Sequence, residues 1–311
     1  MQLQKLVEQL SSHAKYQSFA QVLGHAELTK QRTEDSAFRC RFRDVCETGP
    51  LHYLDLGARG GPQDRVRALH DVYDVTLCEP DPEEAAKLRS QGYTVIEKIC
   101  LDEAGRTQVL NITRKPSNSS IYEPRLDIIR LSHGDTATVE VKNRIELTTT
   151  TIDAEENRLS LSFDEIKLDV QGANLPVLQG MRTSRPFIIE LEAELLPLYH
   201  DQPLFFEVGR HLFNIGYIVC DLQMTRRNGF PSGGRLPGDR RNSRGIPIYG
   251  DFMFMPDWSR SEGQTIMERS AKRWAVTLIM NGYEDIVRFV CLQNLIDGSQ
   301  EILDCLAHAE E

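Results

Sequence analysis

Asp55, Gly57, Ala58 and Gly61 stand in the run Leu51-His-Tyr-Leu-Asp-Leu-Gly-Ala-Arg-Gly-Gly61, and Glu79 closes a second apolar run, Val75-Thr-Leu-Cys-Glu79, about 20 residues later. The spacing suits a strand ending in an acid, a tight turn, a helix, and a second strand ending in another acid. Gly57 lets the backbone turn with no Cβ in the way. Gly60 and Gly61 let it approach a ligand before a helix starting near Pro62, where a missing N–H costs nothing. Glu79 then offers two acceptor oxygens to the vicinal hydroxyls of a ribose. The run is not G-x-G-x-x-G, the turn that cradles a dinucleotide pyrophosphate. An acid at the Asp55 strand end would repel a pyrophosphate and suits an ammonium or a sulfonium. A nicotinamide-dependent oxidoreductase is therefore a rival on fold grounds alone, and S-adenosylmethionine, which carries both cations and a ribose, fits the pattern.

A second run, Ile166-Lys-Leu-Asp-Val-Gln-Gly-Ala-Asn-Leu-Pro-Val-Leu-Gln-Gly180, repeats the logic. A strand ends at Asp169, Gly172 makes the turn and a helix begins near Asn174, so Asp169 and Gln171 belong at the carboxyl edge of a sheet, facing a cofactor crevice. Asp102, just past the third strand, joins Asp55, Gly57, Ala58, Gly61, Glu79, Asp169 and Gln171 in the expected cofactor-binding set. No metal-ligand set is read.

The pairing of D-x-G-A-x-x-G with K-x-D-V-x-G-A-x-x-x-V-L-x-G resembles the FkbM-type S-adenosylmethionine-dependent methyltransferases. Supporting marks are Asn118-Ser-Ser-Ile121, Thr150-Thr-Ile-Asp153, Pro186-Phe-Ile-Ile-Glu190 and Gly250-Asp-Phe-Met-Phe254, so the resemblance spans roughly residues 50 to 256. It implies a class I methyltransferase fold and methylation of oxygen, often on sugars or natural products. Many members carry Glu where this chain has Gln171 and Asn174. Glutamine still donates and accepts hydrogen bonds but takes no proton, which keeps open a methyltransferase-like domain that binds cofactor or partners without turnover.

Methylating a hydroxyl requires alignment with the donor and removal of the hydroxyl proton near the transition state. Asp169 is the first candidate base, from its strand-end position and apolar neighbours. Glu190, which ends or nearly ends the next strand, is second, and His200 in the loop beyond it is third. Glu192 and His133 are further candidates, although Glu192 and Glu194 alternate with Glu190 and read as facing solvent. His133 lies in an insertion and takes no position from sequence, whereas His52 and His211 fall in a strand and a helix and read as structural.

These residues need an α/β framework: a Rossmann-like, mostly parallel seven-stranded sheet with an antiparallel last strand. Strands are expected at 51–57, 75–80, 94–101, 165–170, 186–191, 217–222 and 251–255, with helices at about 174–182 and 203–214. Alternating stretches at 108–113 and 137–152 read as a β-rich hairpin inserted near 104–152. Apolar spacing at Leu3, Leu6, Val7, Leu10, Phe19, Val22 and Leu23 predicts a helical extension over 1–48. A second fills 258–311, flanking a methyltransferase domain at 49–257, and the two extensions suit homo-oligomer formation.

With 311 residues, 40% of them hydrophobic, the chain can bury one sizeable core. A net charge of −10 argues against bulk nucleic-acid binding. Seven cysteines without a C-x-x-C pair read as thiols, and with neither a leader nor a membrane-length apolar run the chain reads as cytoplasmic. The expected partner is a small-molecule acceptor, carbohydrate-containing, with an anionic acceptor as one option. The anionic option comes from the Arg-, Gly- and Pro-rich stretch Arg226 to Pro247, including Arg240, Arg241 and Arg244, read as a lid over the acceptor site.

Overall fold

A computed structural model describes residues 37–132, 135–228 and 246–310. The expected helices over 1–36, the position of His133 and the lid residues 229–245 lie outside these. Helix α1 (37–46) leads into β1 (Leu51–Leu56), α2 (Asp64–Ala68), β2 (Tyr73–Cys78), α3 (Pro82–Ser90) and β3 (Thr94–Ile96). The insertion follows: β4 (Ile99–Cys100), β5 (Thr107–Thr113), α4 (Leu126–Ser132) and β6 (Val141–Thr150). The chain then returns through α5 (Ile152–Leu159), β7 (Glu165–Leu168), α6 (Asn174–Gln179), β8 (Ile188–Glu194), α7 (Phe205–Asn214), β9 (Tyr217–Asn228) and β10 (Ile246–Pro256). Four helices close it: α8 (Ser261–Glu268), α9 (Ala271–Met280), α10 (Glu284–Leu292) and α11 (Ser299–Glu310).

The main sheet has seven strands in the order β3-β2-β1-β7-β8-β10-β9, parallel except where β10 runs against both neighbours. This is the expected class I methyltransferase architecture. From β1 the chain builds outward to β3, then restarts at β7 on the other side of β1. Strand order thus reverses between β1 and β7, and a crevice opens beyond their carboxyl ends. Both strands bury their aliphatic residues, with Leu51, Leu54, Leu56, Ile166 and Leu168 at most 1% exposed, while Glu165 and Lys167, which alternate with them in β7, carry ion pairs.

The helices after β10 share the sheet's own core rather than standing apart from it. Trp274, Val287 and Ile302 are fully buried in one cluster with Tyr53, Ile166 and Phe254. Arg273 pairs with Asp164 just before β7 and donates to the carbonyl oxygens of Thr48 and Pro50, sealing the sheet edge opposite the crevice. Among the described residues no helix is long and apolar enough to cross a membrane.

Four elements differ from the sequence expectation. The strand read over 94–101 is split: β3 stops at Ile96, and β4 leaves to pair with Thr149 and Thr150 in a separate sheet ordered β4-β6-β5. An uninterrupted apolar run hides that break, because the partner lies some 50 residues away in sequence. Helix α5 follows the insertion unannounced, capped by Thr151 Oγ1 accepting from the Ala154 N–H at 3.0 Å. Strands β9 and β10 run on to Asn228 and back to Ile246, well past the expected 217–222 and 251–255. Main-chain pairing needs no apolar pattern once it leaves the core.

Candidate active site

Gly57 is where the site is built. Its φ is +82°, and a Cβ there would lie 2.0 Å from the Asp169 carbonyl oxygen, so the turn after β1 rests directly on the backbone that follows β7. The Asp169 N–H donates to Leu56 O at 2.9 Å, and the Gly57 N–H donates to Cys78 O at 3.0 Å. Three strand ends are thereby laced together, bringing Gly57, Glu79 and Asp169 around one cleft. Lys98, Ile99 and Cys100 wall one side, and Ser119 to Ile121 of the insertion form a roof.

Glu79 is 4% exposed and its Oε1 accepts the Asp81 N–H at 2.9 Å. Burial raises its carboxyl above the ordinary range, against the pull of that N–H and of Arg59. Asp169 is the open carboxylate, 39% exposed at the cleft wall. Lys167 Nζ stands 3.6 Å from Asp169 Oδ2, and Gln171 Nε2 donates to Oδ1 at 2.8 Å.

Gln171 also lines the cleft, with φ +46°, a left-handed conformation that a side-chain-bearing residue holds only where its surroundings enforce it. Here they do. Ser120 Oγ donates to Gln171 O at 2.7 Å, and Tyr199 OH donates to Gln171 Oε1 at 3.0 Å, turning the amide nitrogen toward Asp169 and, at 3.4 Å, Glu192. Asn174 does no such work at the cleft. Buried at the start of α6, it donates to the Glu192 carbonyl at 2.7 Å and ties the helix to β8.

Several residues expected at the site lie elsewhere. Asp55 is buried behind the turn and does not line the cleft. Ala58 packs against Leu77 and Leu88, and Gly61 turns the chain outside the lining with φ +91°. Asp102 pairs with Arg106 on the exposed side of the insertion. Glu190 shares a sheet face with Glu165, where Gln63 Nε2 donates to it at 2.6 Å and Arg65 Nη2 at 3.0 Å, so it is engaged away from the cleft. His200 is exposed at the rim, fixed by its backbone N–H to Glu123 O at 2.8 Å. Glu192, read as solvent-facing, is instead drawn in beside Asp169, one step beyond the Leu168–Leu191 pair. Burial, then Asp169, Glu194 and Asp251, push its carboxyl up to about 8. Burial raises Glu194 to about 7.

Sequence reading did not single out Lys167, Tyr199 or Ser120 as site residues. Lys167 stood in the recognised run, two residues before Asp169. Ser120 stood in the mark Asn118 to Ile121 without an assigned role, and Tyr199, from a distant loop, carried no signal.

A family model, the methyltransferase FkbM domain, matches residues 55–219, more than half of the chain. The search of curated proteins found no match. Among solved structures the chain is similar to a TehB-like SAM-dependent methyltransferase from Corynebacterium glutamicum, with 12% identity and TM-score 0.33 over 75% of this chain and 99% of that one. It is also similar to a 1,6-didemethyltoxoflavin-N1-methyltransferase from Burkholderia thailandensis, with 15% identity and TM-score 0.29 over 79% and 90%. A variant of the 16S rRNA (adenine(1408)-N(1))-methyltransferase from Catenulisporales acidiphilia aligns with 13% identity and TM-score 0.33 over 70% and 91%. It is the family match, running from the acid of the first strand into β9, that decides the matter: the chain belongs to the FkbM methyltransferase family and is an S-adenosylmethionine-dependent methyltransferase.

Proposed function

We propose that the chain methylates a hydroxyl group of a small polyhydroxylated acceptor, carbohydrate-containing and met in the cytoplasm, with Asp169 as the base that takes the hydroxyl proton. The observation that carries this reading is that, of the three first-ranked candidate bases, Asp169 lines the cleft whereas Glu190 and His200 do not. When bound, S-adenosylmethionine supplies an electrophilic methyl group on its sulfonium. Glu79 would hold the ribose hydroxyls of that cofactor, because its carboxyl lies in the cleft wall with Oε1 on a single backbone N–H. Asp169 would favour the cofactor's cationic end and face the acceptor from the same wall. Ser119 to Ile121 of the insertion line the same cleft and would cover part of the bound cofactor. Gln171, held by Tyr199 and Ser120, keeps the Asp169 carboxylate from turning away.

The flank of the crevice toward β8 carries Glu192 and Glu194 beside Asp169, which suits a neutral, hydroxyl-rich acceptor better than an anionic one. Arg240, Arg241 and Arg244 lie outside the described residues and do not enter this reading. All seven cysteines are free thiols, as a reducing compartment requires. The test is transfer of a labelled methyl group to a panel of neutral glycosides, sugar phosphates, uronic acids and amines. Label should enter neutral glycosides at oxygen and be lost with Asp169→Asn. Labelling confined to amines would overturn the oxygen assignment, and labelling confined to the anionic sugars would overturn the neutral one.

A further inference from the structure

Lys167 stands between two carboxylates of unequal character. Its Nζ is 3.5 Å from Asp55 Oδ1 and 3.6 Å from Asp169 Oδ2, all three side chains lying on one sheet face with Lys167 registered opposite Asp55. Asp169 is open to the cleft. Asp55 is 2% exposed, and its Oδ1 makes no hydrogen bond, so the lysine gives it an ion-pair contact without an aligned donor. One ammonium is shared almost evenly between a sealed acid and an open one, and neither is fully satisfied.

A sealed, half-paired carboxyl holds a proton more readily than an open one. The groups facing Asp55 are Lys167 and Asp169 from β7, Glu190 from β8, Tyr53 on its own strand and Cys78 from β2. Glu190 already has Arg65, which leaves Lys167 as the cation whose position sets the charge on Asp55. Burial raises the Asp55 carboxyl to about 7, with Lys167 opposing and Asp169 reinforcing that rise. Burial pulls the lysine down, but Asp55 and Asp169 more than restore it, so it stays charged.

We propose that Lys167 is a positioning residue that couples the arrival of a ligand cation at Asp169 to loss of a proton from Asp55. A ligand ammonium docked against Asp169 takes over the neutralisation that Lys167 had divided, the lysine closes on Asp55 while keeping its own protons, and the Asp55 proton passes to solvent. The proposal rests on the reading that Asp169 receives the cationic end of the cofactor. Its consequence is that cofactor affinity rises with pH through neutrality, and that the turn after β1 is drawn tighter when the cleft is filled.

The experiment is calorimetric titration of S-adenosylhomocysteine, which keeps the ammonium and cannot turn over, in buffers of low and high ionisation enthalpy. Wild type should release about 0.3 to 0.5 proton per ligand near pH 7, falling toward zero by pH 5 and pH 9. Asp55→Asn should release close to none, which separates Asp55 from Glu192 and Glu194, the other nearby acids titrating in this range. Lys167→Met should also abolish the release, because an unpaired Asp55 then stays protonated, and Lys167→Arg should restore most of it. Wild type releasing no proton near pH 7, or Asp55→Asn releasing as much as wild type, would overturn the coupling. If the Asp55 and Lys167 variants do not fold, Glu192→Gln and Glu194→Gln decide it: release kept near wild type in both supports Asp55, and release lost in either overturns it. Unchanged affinity in Asp169→Asn would instead sink the underlying reading, a result distinct from normal Asp169-dependent binding without proton release.

Discussion

Glu79 and Asp169 look alike in sequence, each an acid ending an apolar strand, yet their surroundings differ. Glu79 is buried with one backbone N–H on Oε1, whereas Asp169 is half exposed between Lys167 and Gln171. Different failures should follow from removing them. Glu79→Ala should weaken S-adenosylhomocysteine binding by roughly 1.5 to 3 kcal/mol by calorimetry, the range for losing hydrogen bonds to a charged group. Affinity unchanged in a folded variant would remove Glu79 from the ribose. Asp169→Asn keeps size and hydrogen bonding but not basicity. At saturating S-adenosylmethionine its kcat should fall by ~10²- to 10⁴-fold, and a kcat near wild type would end its candidacy as the base. Glu192 is then the nearest remaining carboxyl, already hydrogen-bonded through the same Gln171 amide.

At the scale of elements, the site depends on how closely β1 and β7 approach beyond their ends. Gly57 permits that approach, and a methyl group there would collide with the Asp169 backbone rather than with a movable side chain. Gly57→Ala should therefore lower stability by about 3 kcal/mol or more, combining the clash with the cost of φ +82° for a side-chain-bearing residue. The urea midpoint is the readout, and a change below about 0.5 kcal/mol would show that the turn has room to relax. The insertion is tied to the same wall by several contacts: Ser120 on the Gln171 carbonyl, Tyr199 OH on the Asn118 carbonyl, the bridge between Pro124 and Tyr199, and the backbone bonds from Arg125 N–H to Leu198 O and from His200 N–H to Glu123 O. They hold Asn118 and Tyr199, 81 residues apart in sequence, beside the same glutamine.

Over the whole molecule, several carboxyls are buried with folded-state values above their unfolded ones: Asp55 and Glu194 at about 7 and Glu192 at about 8. Between pH 4 and 8 the folded chain holds protons that the unfolded chain has released. The sign follows: stability is greatest near the acid end of that window and declines as pH rises through the folded values. Glu140, held down to about 2 by Lys142 and Arg114, titrates below this window and does not offset the trend. The melting temperature should be higher at pH 5.5 than at pH 8.5. Glu194→Gln should recover on the order of 3 kcal/mol at the higher pH and on the order of 1 kcal/mol at the lower, where only the unfolded carboxyl has lost its proton. A larger gain at pH 5.5 than at pH 8.5 would contradict the burial argument.

The two strand-turn-helix runs, their terminal acids and a mostly parallel sheet with an antiparallel last strand were legible in the sequence. Glycine turns and apolar strands are local signals, and the handedness of crossover connections leaves few ways to assemble them. That Asp169 faces the cleft was read from its strand end, but that Glu190 and His200 do not line it was not legible. Alternation along β8 assigns a face to Glu190 but does not reveal that Arg65 and Gln63 occupy that face. The run 94–101 likewise gave no sign of dividing between two sheets. The state of each carboxyl was settled only in three dimensions, because burial and neighbouring charge belong to the packed arrangement: Asp55 shut in with half a lysine, Glu192 drawn in beside Asp169, and Gln171 locked by a tyrosine and a serine from distant loops.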